Sequence, residues 1–477
     1  MIIAHGLLAL PGKQDLVRAD IRVSDGRIVE IGTSLSPAPG EDSVSADGMQ
    51  IFPGAIDPHV HFDTPGFEQR EDFTHGSMAA ARGGVTTIID MPCTSLPPVT
   101  SLSNFREKFS HVGKASVIDF GLYGGVSGHI ADECINTHMA ELSPYVVGFK
   151  TYFISGMDSF THINHYDFAR VIARASQIGR PVLLHAEDLD YITAATRSVQ
   201  ARARARAGTH APEPAAAAQP VAGYAAAGPA APGTWADYVE ARPEAAERVA
   251  AATALALAHG NEGTLHVVHV GTAEAAELLA AGGATCETCT HYLEFSSADF
   301  DRLGAALKTA PPVKSPGHAE RLWSLLAGGS ISFVTSDHAP APEAEKHTGS
   351  IWTDYGGIPG TGTLFPYVYS EGYRSGRLSL YRFLEVISSA AARRFGLAAH
   401  KGSIEVGKDA DFAFVDPEAT YEVKGSELLS KGTITPFEGM RLQGKVTNTF
   451  VRGVEVWNAD DGIVVDPGSG NYLQWGY

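Results

Sequence analysis

"PGAIDPHVHF", residues 53–62, places two histidines one residue apart at the end of an apolar run. In an extended chain residues i and i+2 point the same way, so His59 and His61 can offer two imidazoles to one ion while Val60 packs into the wall. Two ordinary histidines near a strand end would look the same in a chain with 19 of them. The surroundings decide between these readings.

Outward from this pair, short β-branched runs recur to about residue 340, each followed by a loop and an Ala/Leu/Glu/Arg-rich helical segment. After the run ending near Asp57 to His61 come "VTTIIDMP" (85–92), "SVIDFGLYGG" (116–125), "YVVGFK" (145–150), "PVLLHAED" (181–188), "TLHVVHVG" (264–271), "ATCETC" (284–289) and "SISFVTSDH" (330–338). Eight strands alternating with helices predict an α/β fold, a (β/α)8 TIM barrel with its chemistry at the C-terminal strand ends.

Those ends carry side chains a core would not choose: His59 and His61, Lys150, His185, His269 and Asp337. Neutral imidazoles with a carboxylate suit zinc and related divalent ions. On the sixth strand His266 and His269 are three apart and face opposite ways, which leaves His269 as the candidate ligand and His266 as a structural residue. His338 begins a loop, where it could meet substrate or Asp337. An ammonium at Lys150 would be repelled by divalent cations. Carbon dioxide addition would turn that lysine into an anionic carbamate able to bridge two metals, whereas a free amine could form a Schiff base.

The chain ends differ from the middle. Residues 1–52 alternate apolar and polar positions, with Asp25-Gly26 as a hairpin turn inside "DIRVSDGRIVEIG" (20–32). Residues 402–477 return to this character in "DADFAFVDP" (409–417), "TNTFVRGVEVWN" (447–458) and "GIVVDP" (462–467). The expectation is one small β-sandwich assembled from both termini around a barrel at 53–401. Residues 200–234 are rich in Ala, Pro and Gly and cannot bury much surface, so they read as a surface insertion, with an active-site lid as the alternative.

With 477 residues and 44% hydrophobic content there is ample material for a large core. No apolar run is long enough to span a bilayer and the start lacks a basic signal-peptide region, so cytoplasmic residence is expected. A net charge of −18 argues against nucleic acid and anionic membrane surfaces, despite the basic run "RSVQARARARAG" (197–208). Cys93, Cys134, Cys286 and Cys289 are too few for a disulfide framework and read as reduced thiols.

In "FPGAIDPHVHF", "GGVTTIIDMP", "VGFKTYF", "PVLLHAED", "LHVVHVG", "CTHYL", "APPVKS", "SDHAP", "GGIPG" and "KGSIEVGKDADFAFVD", nearly the whole chain resembles the cyclic amidohydrolases of the amidohydrolase superfamily. That group comprises allantoinases, hydantoinases, dihydropyrimidinases and dihydroorotases. The resemblance implies that His59 and His61 bind a first metal and His185 and His269 a second. Lys150, as a carboxylated lysine, would bridge both, while Asp337 would bind the first and act as catalytic base. It implies two divalent ions, zinc or else manganese, cobalt or iron, and a homotetramer. Every expected ligand is present, which disfavours a noncatalytic scaffold. The bridging lysine disfavours a one-metal exocyclic deaminase.

Departures from the relatives bear on the substrate. Dihydroorotases typically carry H-x-H-x-R with an arginine for the substrate carboxylate, but this chain has Asp63 there, which is expected to repel such an anion. Dihydropyrimidinases and D-hydantoinases usually have tyrosine five residues after the bridging lysine. Here Ser155 stands in that place, and Tyr152, two residues after Lys150, reads as packing beside the strand end. "CTHYL" resembles allantoinases, while "DFGLYGG", "APPVKSPGHAERLW" and "GRLSLYRFLEV" are shared with L-hydantoinases. The expected reaction opens the ring of allantoin, with 5-substituted hydantoins as the alternative. Ser155, Thr309, Ala310, Gly357 and Ile358 are the expected substrate contacts, the last four through main-chain groups of "TAPP" and "YGGIPG".

Overall fold

The computed structural model describes residues 1–208 and 232–477. Eight parallel barrel strands run in chain order: Ala55–Val60, Val85–Asp90, Asp119–Leu122 continued by Gly124–Gly125, Phe149–Tyr152, Val182–His185, Leu265–Val267, Thr285–Cys289 and Phe333–Thr335. The barrel closes where Val60 bridges to His338 and the His61 N–H donates to the His338 carbonyl at 2.8 Å. Strand residues such as "VTTIID" and "VLLH" are buried throughout, as expected of a sheet filled inside and covered by helices outside. The fold is the α/β TIM barrel expected.

Short polar side chains start the outer helices. Asp72 caps Phe73–Arg82, Ser101 caps Leu102–Val112, Asn164 caps His165–Gln177 and Asp188 caps Leu189–Arg206, each accepting a backbone N–H three residues on. Because Asp188 lies three residues beyond His185, the helix begins just after the fifth strand delivers its histidine.

Both chain ends meet in one nine-stranded sheet. Asp25 and Gly26 lie at φ 51° and 77° between the paired strands Val17–Ser24 and Arg27–Gly32, the two-residue turn expected. Gln50–Pro53 joins the ends: it pairs with Ile2–Leu8 on one side and with Phe412–Glu422 on the other. The sheet folds over until Arg27 bridges to Asp409, and Ile3, Ile21, Ile51, Phe412 and Phe450 fill the space within.

Two features depart from the expected organisation. The helix Leu189–Arg206 takes up the start of the 200–234 segment, and Arg206 grips both carboxylate oxygens of Asp237 at 2.7 Å in the helix Trp235–Ala241. Part of the basic run is therefore committed to ion pairs. The remainder of the expected insertion, with its lid alternative, falls on 209–231, outside the described residues. The chain's last strand, Tyr472–Leu473, leaves the terminal sheet and pairs in parallel with Phe120 and Gly121 of the third barrel strand. Gly470 permits this approach, since a Cβ there would lie 1.8 Å from the Ile118 carbonyl oxygen.

Candidate metal centre

Three ligand candidates converge from the two strands at the closure. His59 Nε2 and His61 Nε2 lie 3.2 and 3.4 Å from Asp337 Oδ1. A second pair forms between neighbouring strands, with His185 Nδ1 3.0 Å from His269 Nε2. The two pairs adjoin, because the rings of His59 and His269 are 5.4 Å apart. Lys150 is wholly buried, and its charge disfavours protonation of His59, His185 and His269 alike. His269 and Asp337 hold left-handed backbone conformations, φ 40° and 49°, which cost about 1–3 kcal/mol each and persist only where the surroundings dictate them.

Burial sets the protonation states. It holds His59, His185 and His269 below the ordinary imidazole range and so in the neutral form that binds metals. His61 differs: against burial, its contacts with Asp337 and Cys93 raise it to about 10. Burial pushes Asp337 up, but His59, His61 and His269 outweigh it and keep the carboxyl ionised, well below the usual range. Burial lowers Lys150 to about 8, so an appreciable share is free amine near neutral pH.

This donor set fits metal ions. Lys150 Nζ, His59 Nε2 and His269 Nδ1 are buried with no hydrogen-bond partner among the described residues. Polar atoms stranded in this way are costly unless something else satisfies them. Carboxylates behind the imidazoles set their orientation: Glu287 touches His59 Nδ1 and lies 3.0 Å from His266 Nε2, and Glu187 lies 2.9 Å from His185 Nε2. Arg242 pairs with Glu187 and, against the upward push of burial, helps keep it ionised. Glu187 follows His185 by two residues in "HAED", so the i+2 rule could have found it. Glu287 sits between Cys286 and Cys289, where the cysteines drew the eye. All four cysteines are free and buried.

A cavity of about 100 Å³ opens above the imidazoles, room for one small ring and a few waters. His59, His61, His185, His269 and Asp337 line it, with Cys93, Thr94, Tyr152, Ile154, Met157 and Tyr355 among the rest. No arginine or lysine is among its described lining residues. Tyr152, at the end of its strand, belongs to this wall.

The expected substrate contacts divide. Ser155 and Ala310 line the cavity, whereas Thr309, Gly357 and Ile358 do not. Their main-chain groups are occupied: the Gly357 N–H donates to the Lys308 carbonyl at 2.9 Å, the Ile358 carbonyl accepts from the Ala339 N–H at 2.9 Å, and the Thr309 carbonyl accepts from the Tyr238 hydroxyl at 2.7 Å. Neighbouring Tyr355, Gly356 and Ala339 line the cavity in their stead.

Asp63 also departs from expectation. It is fully buried outside the described lining, and burial, against His61 and Arg70 nearby, raises its carboxyl to about 8. A neutral, hidden carboxyl cannot repel an anionic ring. His338 is structural: its Nδ1 accepts the Gly360 and Thr361 N–H groups at 3.1 and 3.2 Å, and its Nε2 lies 3.1 Å from Glu71.

A TIM barrel with imidazoles and a carboxylate gathered at one mouth has the build of a metal-dependent hydrolase. Residues 50–456 match the Amidohydrolase family, and the chain belongs to it. It is 34% identical to an allantoinase of Rubrobacter xylanophilus over 96% of this chain and 94% of the relative. It is 36% identical to a dihydroorotase of Halobacterium salinarum over 92% and 94% of the respective chains. Its structure resembles that of the L-hydantoinase (dihydropyrimidinase) from Arthrobacter aurescens, with a TM-score of 0.87, 29% identity and 99% of each chain covered.

Proposed function

We propose that the chain opens the cyclic amide bond of a five-membered ureide ring, allantoin foremost, to give a ureido acid. The observation that carries this reading is a ring-sized cavity with four imidazoles and an ionised carboxylate in its lining and no arginine or lysine among its described lining residues. A neutral ring needs no counter-charge, whereas a ring bearing a carboxylate does. The similarity to named allantoinases across nearly the whole length supports the same reading.

His59, His61 and Asp337 would hold one divalent cation and His185 and His269 a second. Zinc suits these donors best, with manganese, cobalt or iron as alternatives. Lys150, carboxylated at Nζ with release of a proton, would bridge them, which accounts for a buried amine with no hydrogen-bond partner among the described residues. Bound there, the ions would act as Lewis acids toward the ring carbonyl and bring the pKa of water toward about 7. Asp337 takes the proton of the attacking water and delivers it to the departing ring nitrogen. The water oxygen joins the carbonyl carbon, the carbon–nitrogen bond breaks, and the nitrogen leaves protonated. Glu287 and Glu187 hold the rings of His59 and His185 in place throughout.

A second reading, 5-substituted hydantoins as substrates, is favoured by Ile154 and Met157 in the cavity wall, which suit an apolar substituent. The test is a hydrolysis screen of allantoin, 5-substituted hydantoins of both hands, dihydrouracil and dihydroorotate with metal-reconstituted protein. Fastest turnover is expected with allantoin, and preferred turnover of dihydroorotate would overturn the reading. A homotetramer and cytoplasmic residence belong to the same proposal, and light scattering would check the first. No helix among the described residues is long and apolar enough to cross a membrane.

A further inference from the structure

Two lysines grip the segment 354–357 from behind the cavity wall. Lys346 ends the short helix Glu343–Lys346, and its ammonium donates to the Gly357 carbonyl at 2.8 Å and to the Tyr355 carbonyl at 3.2 Å. Lys308 holds the same segment at two points: its ammonium donates to the Asp354 carbonyl at 2.5 Å, and its own carbonyl accepts the Gly357 N–H at 2.9 Å. The chain is thus fixed on both sides of Gly356, which lines the cavity beside Tyr355, whereas neither lysine is among the described lining residues.

The grip sets a direction. The Tyr355–Gly356 peptide is trans, so its C=O and N–H point opposite ways. With the carbonyl turned to Lys346, the Gly356 N–H is turned away from it, and it meets no acceptor among the described residues. Holding two ammoniums here is costly: both are almost wholly buried, and burial, against the charge of Asp354, lowers each to about 7. Asp354 Oδ1 meanwhile accepts the Thr348 N–H and hydroxyl, both at 2.8 Å. Main-chain carbonyls are what the two ammoniums bind, and charge-assisted bonds of this kind are stronger than neutral ones.

We propose that Lys346 and Lys308 are positioning residues that set ring preference, by holding the main chain at Tyr355–Gly356 in the one arrangement that fits the substrate against this wall. This rests on the cyclic-amide reading above. A lysine suits the task, because one compact ammonium with three donors can hold two carbonyls at once. Both residues act through the wall and not on the reacting atoms. Their loss therefore loosens substrate binding and blurs the choice between rings while sparing the metal centre.

The test compares the wild-type holoenzyme with Lys346→Met, a side chain of similar length without charge or donors, on the ring that the wild type opens fastest and on the next best in the screen. KM for the first should rise about 5–20-fold with kcat nearly unchanged, and the preference between the two rings in kcat/KM should narrow several-fold. Metal stoichiometry by elemental analysis should be unchanged. Lys346→Arg, which restores a charged donor, should recover part of the KM. Lys308→Met should show the same pattern as Lys346→Met, and it carries the test if the latter does not fold. Unchanged KM, equal losses on both rings, lost metal, or failure of both Met variants to fold would overturn the proposal and leave the lysines as structural supports. Preferred turnover of dihydroorotate would sink the allantoin assignment without touching this comparison, whereas a wild type that opens no ring sinks both readings.

Discussion

Glu287 ties His59 and His266 together from the back of the barrel, with the Thr335 hydroxyl donating to it at 3.2 Å. Carboxylates behind ligating imidazoles fix the tautomer and the ring orientation, so Glu287→Gln should weaken metal binding about 10–100-fold. Titration of the apoprotein with zinc under a competing chelator would show it, and unaltered affinity would mean that the ring is held by packing alone. Lys150→Ala should abolish two-ion stoichiometry and with it hydrolysis. Full activity in that variant would sink the two-metal mechanism. Arg242 answers a different need. Truncating it to Met strands the ionised Glu187 in a buried site, at a cost of about 3–5 kcal/mol in stability measurable by chemical denaturation.

Among the elements, the strand Tyr472–Leu473 is the least foreseeable from sequence. Two paired residues in "NYLQWGY" carry no periodicity, and the partner, Phe120–Gly121, reads as an ordinary barrel strand. What directs the tail there is polar: the Asn471 N–H donates to Asp119 Oδ1 at 2.7 Å, and the Phe120 N–H donates to the Asn471 carbonyl at 2.9 Å. Gly470→Ala should push this strand off the barrel and lower the thermal midpoint, and an unchanged midpoint would show that the tail contributes nothing. The barrel strands were legible because β-branched runs repeat at helix-length intervals, and the strand-end histidines stood out against that rhythm. Substrate-facing loops were not. Whether Gly357 or Gly356 meets the cavity depends on where a main-chain N–H points, and glycine identity says nothing of that. Glu287 was hidden for a related reason, since a single carboxylate inside a strand has no spacing to advertise it.

Across the whole molecule, Lys401 joins the barrel to the terminal sheet. Its ammonium lies 2.5, 2.9 and 2.7 Å from Asp119, Asp409 and Asp411, and Arg452 also reaches Asp119. Lys401→Met should destabilise the protein by about 3–5 kcal/mol near neutral pH, because three buried carboxylates would then share one cation. Burial already raises Asp411 above the ordinary aspartate range. Without the lysine its folded carboxyl would take up protons at still higher pH than the unfolded chain. The folded state then binds the extra proton as pH falls, so the deficit in the variant should shrink between about pH 7 and 4. Denaturation midpoints of variant and wild type across that range would show a narrowing gap, and a constant gap would mean that the carboxylates stay ionised.

The union of both chain ends with the barrel also orders events in time. Phe120 of the third barrel strand leaves the ribosome about 350 residues before Tyr472, its partner in the flanking strand. At roughly 5–20 residues per second, that is about 20–70 s. During that interval one flank of the strand has no tail to cover it, and Gln50–Pro53 waits similarly for Phe412–Glu422. The nascent chain thus presents open strand edges for most of its own synthesis, the period in which a chaperone that shields such edges would matter most to its yield.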